Sequence, residues 1–382
     1  MTYRLLYLVN IPRFFVTHRL PLALAARDSG YDVHVATSMY DEPNVQRIRE
    51  AGLPFHPLPL RQHSTSPLHE WQALRAIYRL YQELRPDIVH QITIKSILYG
   101  SAAARLTGVR AVVNAVSGMG YVFVADGPKF ALIRSAAKLA YHAALRYPHS
   151  RTIFQNPDDR DYFVQHGLID SERAILIKGS GVDMDTFRPQ QEPDGLPVVL
   201  FAGRLLWQKG VGEFVEAARR LQGRARFVIA GFGEAGNPAS VPPDKLDEWQ
   251  RSGVIEWWGQ RADMPAVFAQ SHIVCLPSSY GEGIPKVLIE AAACGRAIVT
   301  TDSPGCREIT RHGENGLLVP VGDADALCAA LAELIEDPAR RQQMGAAGRR
   351  IAESEFSLAQ INAQTLAVYR TLLAEKSSHN LY

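Results

Sequence analysis

The chain has 382 residues, too many for one ordinary hydrophobic core, so two domains are expected. Apolar residues make up 47% and charged residues 21%, the balance of a soluble globular protein, and a net charge of +2 is too small to argue for a nucleic-acid partner. No continuous apolar run reaches the ~18 residues of a membrane span, so an integral membrane protein is not expected.

Strand-like apolar runs alternate with helix-length amphipathic stretches, the pattern of a parallel α/β fold. The opening run, Tyr3-Arg4-Leu5-Leu6-Tyr7-Leu8-Val9-Asn10, lacks the cleavage site and length of a secretory leader and reads as a first strand over 5–9. Further strands are predicted over 32–37, 87–93, 111–115, 152–155 and 174–178. Between them lie helices such as 67–84, capped by Ser66 and stopped before Pro86. Over 128–146, Arg134, Lys138, His142 and Arg146 recur every fourth residue beside Phe130, Leu132, Ile133 and Leu139. Such a stripe suits an anionic membrane surface, and equally a domain helix with one wet basic face. Gly179-Ser180-Gly181-Val182-Asp183 breaks the regularity, and 188–197, rich in Pro and Gln, reads as an interdomain linker. The domains are therefore set at 1–190 and 195–356. A second alternation runs from 198 to about 334, and a last amphipathic segment, 357–373, has no strand after it. Cys275, Cys294, Cys306 and Cys328 show no metal-ligand spacing, which suggests reduced thiols in a cytoplasmic protein.

The densest chemistry follows the apolar run 273–277, in Gly281-Glu282-Gly283-Ile284-Pro285-Lys286-Val287-Leu288-Ile289-Glu290. Pro285 fits the first turn of a helix. Glu282 then lies in the loop at a strand's carboxyl end, and Glu290 shares a helix face with Lys286 and Val287. Helical side chains lean toward the N-terminus, where free N–H groups and the dipole favour phosphate. Carboxylates for sugar hydroxyls beside amides for phosphate suit a nucleotide-sugar. Arg204 and Lys209 fall just past another strand, Val198 onward, where cations would meet the charge of a leaving diphosphate; two solvated surface charges are the plain alternative. Gly231-Phe232-Gly233-Glu234-Ala235-Gly236 spells G-x-G-x-x-G, but a dinucleotide site needs a helix to open there, and Asn237-Pro238 and Val241-Pro242-Pro243 argue against one. The glycines better serve close backbone approach to a nucleoside. Asp183 with Asp185, and Asp323 with Asp325, spell Asp-x-Asp, yet neither pair directly follows a strand. No metal ligand is predicted.

The Glu282/Glu290 segment resembles the E-x7-E segment of retaining glycosyltransferases of family four. So do Phe201-Ala202-Gly203-Arg204, Trp207-Gln208-Lys209-Gly210, Gly313-Glu314-Asn315-Gly316-Leu317-Leu318-Val319 and Gly322-Asp323-Ala324-Asp325-Ala326-Leu327. The likeness is continuous from about Val198 to Leu334. Val116-Ser117-Gly118-Met119-Gly120-Tyr121-Val122-Phe123 is similar to bacterial members that extend undecaprenyl-diphosphate-linked oligosaccharides. The resemblance implies the GT-B fold: two Rossmann-like domains facing across a cleft, with 357–382 crossing back to brace the first. It implies that Arg204 and Lys209 grip the donor diphosphate, that Glu282 holds donor-sugar hydroxyls and that Glu290 accepts ribose hydroxyls. Gly203, Gly231, Gly283, Ile284, Pro285, Lys286 and Val287 would line the donor, and Gln260 or Arg261 would meet the nucleobase. The first half departs from the family: Ile11 to Arg19 replaces a glycine pair, and where many members place a histidine after strand four or five, this chain offers Lys95 after its third strand-like run and Ser117-Gly118 after the fourth. His18, Lys95 and Ser117 are the acceptor-side candidates. The implied activity moves a hexose or N-acetylhexosamine from UDP to a polyprenyl-diphosphate-linked saccharide. It needs no cofactor or metal, and the enzyme sits peripherally on the inner face of the cytoplasmic membrane. A nucleotide-sugar epimerase, a nicotinamide oxidoreductase and a non-catalytic sugar-binding module are the rivals. Arg204 and Lys209 together with Glu282 and Glu290 favour transfer.

Overall fold

The computed structural model describes residues 2–61, 64, 66–119, 128–234, 236–279 and 281–379, with backbone alone at 128–132 and 376–379. Strands β1 Arg4–Val9, β2 Asp32–Thr37, β3 Phe55–Pro57, β4 Ile88–Ile92, β5 Ala111–Val116, β6 Ser150–Phe154 and β7 Ala174–Leu176 form one sheet. Its order is β3-β2-β1-β4-β5-β6-β7, with parallel pairing throughout. Between the strands run α1 Pro12–His18, α2 Leu20–Asp28, α3 Glu42–Glu50, α4 Pro67–Leu84, α5 Ile94–Thr107, α6 Pro128–Leu145 and α7 Pro157–Gln165.

Strand β1 shows why its sequence is apolar without alternation. Leu5, Tyr7 and Val9 pack on one side with Phe15, Leu22 and Ala23 of α1 and α2. Leu6 and Leu8 pack on the other with Ala73, Ile77 and Ala103 of α4 and α5. A strand buried on both faces has no polar side to show.

The second sheet is built from β8 Val198–Arg204, β9 Arg226–Phe232, β10 Glu256–Trp257, β11 Ile273–Leu276, β12 Ala297–Thr301 and β13 Gly316–Val319. Its order, β10-β9-β8-β11-β12-β13, repeats the first, again in parallel. Helices α8 Val211–Arg220, α9 Pro243–Arg251, α10 Met264–Ala269, α11 Lys286–Ala293, α12 Cys306–Ile309, α13 Ala324–Glu336 and α14 Pro338–Glu355 accompany it. Strand order reverses between β1 and β4, and between β8 and β11. In open sheets of this kind, ligands bind beyond the strand carboxyl ends at that reversal.

The chain divides into two compact units, Met1–Ser180 with Ala359–Tyr382, and Gly181–Leu358. The Pro/Gln stretch 188–197, read from composition as a linker, belongs to the second unit. Arg341 Nε and NH2 donate to the two Glu192 carboxylate oxygens at 2.9 and 2.8 Å. Nearby, His272 Nδ1 accepts the Val198 N–H, so its Nε2–H donates to the Pro193 carbonyl at 3.0 Å. An ion pair across 149 positions leaves no trace in local composition.

The last helix, α15 Leu358–His379, returns to the first unit. Ile361, Leu366, Tyr369, Leu372 and Leu373 join the core that holds Leu5, Tyr7 and Val9. Its Tyr369 hydroxyl lies 3.1 Å from that of Tyr7 and 2.5 Å from His90 Nδ1. Two local expectations shift. Ser66 occupies the position before α4 but makes no capping bond through its side chain, and α4 closes instead on Arg85 in the left-handed region, φ 47°, ahead of Pro86. Pro285 stands one place before α11 rather than in its first turn. Strand β3, three residues at the sheet edge, was not expected at all. Among the described residues, no helix is long and apolar enough to cross a membrane.

Candidate functional site

At the carboxyl end of β8, Arg204 is the last strand residue, and a 3-10 turn, Trp207–Lys209, follows. The turn closes on Gly210 at φ 80°, where a Cβ would fall 2.1 Å from the Pro277 carbonyl oxygen. Only glycine permits that approach. It presses the segment carrying Lys209 against the end of β11, from which the loop to Glu282 departs. Lys209 Nζ donates to both Glu282 oxygens at 2.6 Å, and each side chain is 12% exposed. Ser278 Oγ donates to Glu282 Oε1 at 3.0 Å. A carboxylate held by an ammonium and a hydroxyl is fixed in direction, as a group that must meet a substrate should be.

Arg204 is more open, its side chain 38% exposed, and its NH1 donates to Glu234 Oε1 at 3.2 Å. The contact depends on Gly231 in β9, where a Cβ would lie 1.9 Å from the Gly203 carbonyl oxygen. The two strand ends therefore converge. Asn237 Nδ2 donates to Glu234 Oε2 at 3.0 Å, and the Glu234 N–H donates to Ser240 Oγ at 2.8 Å. Among the described residues, no helix opens behind this G-x-G-x-x-G run until Pro243, so the helix that a redox fingerprint needs does not follow it. Glu234, though part of that run, was given no site role from the sequence. The usable signal was its place, as the acid of the loop that follows the strand beside β8.

On α11, Glu290 is only 8% exposed and lies one turn past Lys286, whose Nζ is 3.2 Å from Glu290 Oε1. Burial pushes the Glu290 carboxyl above its ordinary value, against the pull of Lys286. Ile284 and Pro285 are buried, while Gly283 and Val287 complete the loop and first turn. Gln260 is exposed after Gly259. Arg261 lies flat on Asp263 through contacts of 2.8 and 2.6 Å, which raise its pKa. Arg204, Lys209, Glu282, Lys286 and Glu290 all belong to the second unit, at the strand ends and helix start where order reverses.

The acceptor-side candidates belong to the first unit. His18, last in α1, has Nδ1 3.2 Å from Ser180 Oγ. Lys95 Nζ is committed to the Arg61 and Ser64 carbonyls at 3.0 and 2.8 Å and to Glu70 at 2.8 Å. It ties the segment after β3 to α5. Ser117 Oγ is buried with no hydrogen-bond partner among the described residues, and residues 120–123 of its motif lie outside them. A further feature escaped the sequence. Thr93, between β4 and α5, holds φ 75° and ψ 156°, with its hydroxyl buried and without a hydrogen-bond partner among the described residues. A β-branched residue there is strained, and such strain gathers at functional sites.

The two Asp-x-Asp pairs have local duties. Asp183 accepts from the Asp185 N–H at 3.0 Å and the Thr186 hydroxyl at 2.6 Å. Asp323 caps α13 by accepting the Ala326 N–H at 2.8 Å, and Asp325 pairs with Arg220. The basic stripe of α6 is also partly spent. Lys138 Nζ stands 5.0 Å over the Tyr162 ring, and His142 Nδ1 donates to the Gly167 carbonyl at 2.9 Å. Leu139, 72% exposed, and Ile133 are open, while the Phe130 and Leu132 side chains lie outside the described set.

Residues 196–337 match the family described as "Glycosyl transferases group 1", and residues 4–155 match "Glycosyl transferase 4-like". The chain is 28% identical over 332 residues to a Campylobacter jejuni enzyme, N,N'-diacetylbacillosaminyl-diphospho-undecaprenol alpha-1,3-N-acetylgalactosaminyltransferase, covering 84% of this chain and 86% of the relative. It is 26% identical over 299 residues to the Escherichia coli UDP-Gal:alpha-D-GlcNAc-diphosphoundecaprenol alpha-1,3-galactosyltransferase, covering 73% and 74%. Anabaena HepE, solved in complex with UDP-glucose, superposes with a TM-score of 0.79 at 20% identity, covering 97% of this chain and 99% of that one. Neither enzyme relative is named as an epimerase. The two family matches fall on separate units and together reach both sheets: the chain is a glycosyltransferase of the GT-B, group 1 family.

Proposed function

We propose that this glycosyltransferase moves a hexose or N-acetylhexosamine from UDP, with retention and without a metal, onto a saccharide carried by a polyprenyl diphosphate. The observation that carries the reading is the gathering of two cations, Arg204 and Lys209, and two carboxylates, Glu282 and Glu290, at the strand-order reversal of the second sheet, with Lys209 bound to Glu282 and Glu290 beside Lys286. The relatives named above act on diphospho-undecaprenol sugars and form alpha linkages, which supports both the acceptor class and retention.

In this reading Arg204 and Lys209 meet the donor diphosphate. As the glycosidic bond breaks, negative charge grows on the leaving phosphate, and cations already in place stabilise the transition state more than the ground state. Glu282 accepts hydroxyls of the donor sugar, and Glu290 those of the ribose. Gly203, Gly231 and the run 283–287 line the donor, with Gln260 at the base because Arg261 is held by Asp263. The acceptor attacks on the face from which the diphosphate leaves, and a phosphate oxygen takes its proton. Metal independence is supported by the local engagement of the Asp183 and Asp323 carboxylates, one in a turn and one at a helix cap. The acceptor side falls to the first unit, where His18, Lys95 and Ser117 remain the named residues, at the inner face of the cytoplasmic membrane.

The test incubates the purified protein with a panel of UDP-sugars and a polyprenyl-diphosphate-linked saccharide in excess EDTA. The expected product carries a new α linkage by NMR. Arg204→Ala and Lys209→Ala are each expected to lose ~10²–10³ in turnover. Near-parental turnover of either variant on saturating donor would overturn the diphosphate assignment. Activity lost in EDTA and restored by Mg²⁺ or Mn²⁺ would overturn metal independence.

A further inference from the structure

Both cations of the donor site already hold a carboxylate, but the two pairs differ. Lys209 and Glu282 make two contacts of 2.6 Å with both side chains 12% exposed. Arg204 reaches Glu234 through a contact of 3.2 Å, and its side chain remains 38% exposed. A single, solvated ion pair is worth little. A diphosphate offers the planar guanidinium paired, charge-assisted hydrogen bonds that a lone carboxylate contact does not match.

Glu234, in contrast, is not free to follow. Its second oxygen accepts from Asn237 Nδ2 at 3.0 Å, its N–H is bonded to Ser240 Oγ at 2.8 Å, and it is 13% exposed. Ser240 belongs to a segment bridged to Leu206, in the turn that follows Arg204. The carboxylate is therefore a fixed point from which the guanidinium can turn away.

We infer that Glu234 is a positioning residue which holds Arg204 in the donor-free enzyme and competes with the diphosphate of donor and product for it. The inference rests on the reading of Arg204 as a diphosphate ligand. Its consequence is an affinity for nucleoside diphosphate kept below what the two cations could reach, which hastens release of the product after transfer. Where product release limits turnover, as in many enzymes, such a restraint raises the rate rather than lowering it.

UDP is the probe, measured by calorimetry and by stopped-flow release with the full chain. Glu234→Gln keeps the shape and removes the charge. It is expected to bind UDP ~3–10-fold more tightly, through slower release, as expected for removing a partly solvated competitor. Glu234→Ala should shift affinity the same way, and parental melting of both variants shows that the loop is intact. Most of the gain should vanish in the Arg204→Ala background, since the competition is for that side chain. A residue that only supports the loop would weaken UDP binding when replaced. Weaker or unchanged binding in both Glu234 variants, with Arg204→Ala still impaired, would overturn this inference alone. Parental UDP affinity in Arg204→Ala would overturn the diphosphate reading, and this inference with it.

Discussion

Asp159 stands at the third position of α7, fully buried. Asn156 accepts its N–H at 2.8 Å, and Asn156 Nδ2 donates back to Asp159 Oδ2 at 3.1 Å. The other carboxylate oxygen is buried without a hydrogen-bond partner among the described residues. Burial is the main cause that pushes this carboxyl to about 7; Asp158 adds to the rise, against the pull of Asn156 and the Met119 N–H. A folded value above the unfolded one means that the native state holds the proton more tightly. The contribution to stability is complete below the unfolded value near 4 and is gone once pH has risen through about 7. Relative to Asp159→Asn, the parent should therefore lose about 2–3 kcal/mol of stability between pH 5 and 7.5, read from paired denaturant melts. Parallel melts across that range would show the carboxyl to be ionised throughout. At this scale the sequence spoke unevenly. Glu282 with Glu290, and Arg204 with Lys209, were legible because the spacing of each pair is local to one strand-loop-helix passage. Glu234 and the strain at Thr93 were not, since a partner 30 positions away and a backbone angle depend on how strands converge.

Long elements were easier to read than short ones. In the first unit the strands of five or six residues lie within a residue or two of their expected bounds, because burial on both faces forces continuous Val, Ile and Leu. Strand β3 was missed: His56 and Pro57 break its apolar signal, and pairing with β2 alone makes it a strand. Helix α6 shows the limit of periodicity. Its charges repeat as expected, yet tertiary contacts engage Lys138 and His142, while Ile133 and Leu139 on the helix and Arg146 just past its end are exposed. Each cation near an anionic bilayer contributes ~1 kcal/mol, screened within a Debye length. Replacing Arg134, Lys138 and Arg146 together by Gln should release the protein from anionic vesicles in flotation. It should also raise the KM for a long-chain lipid acceptor and spare a short-chain one. Equal vesicle binding by parent and variant at low salt would make α6 an ordinary domain helix.

For the molecule as a whole, the repeated strand order was foreshadowed by two stretches of αβ alternation and the return of the last helix by the family resemblance, whereas the first boundary, at Ser180 and Gly181 rather than in 188–197, was not. The first unit owes part of its core to α15. Ile361, Leu366, Tyr369, Leu372 and Leu373 are all buried there, and loss of one large core side chain typically costs ~2–5 kcal/mol against a total stability of ~5–15. A chain ending before Ala359 should leave the first unit unfolded while the second, with its own core, still melts cooperatively. Hydrogen exchange resolved by segment would show β1, β2 and β4 unprotected and β8 to β12 protected. Full protection of β1 in the truncated chain would make α15 dispensable.

That shared core also sets an order of events during synthesis. Protein domains ordinarily fold as they leave the ribosome, the N-terminal one first. Here the helix that completes the first unit is translated only after the entire second unit. At ~5–20 residues per second, the seat for Tyr369 waits roughly 10–40 s with its apolar lining open. The second unit can close meanwhile on its own residues, leaving the earlier half of the nascent chain as the natural client of a holding chaperone.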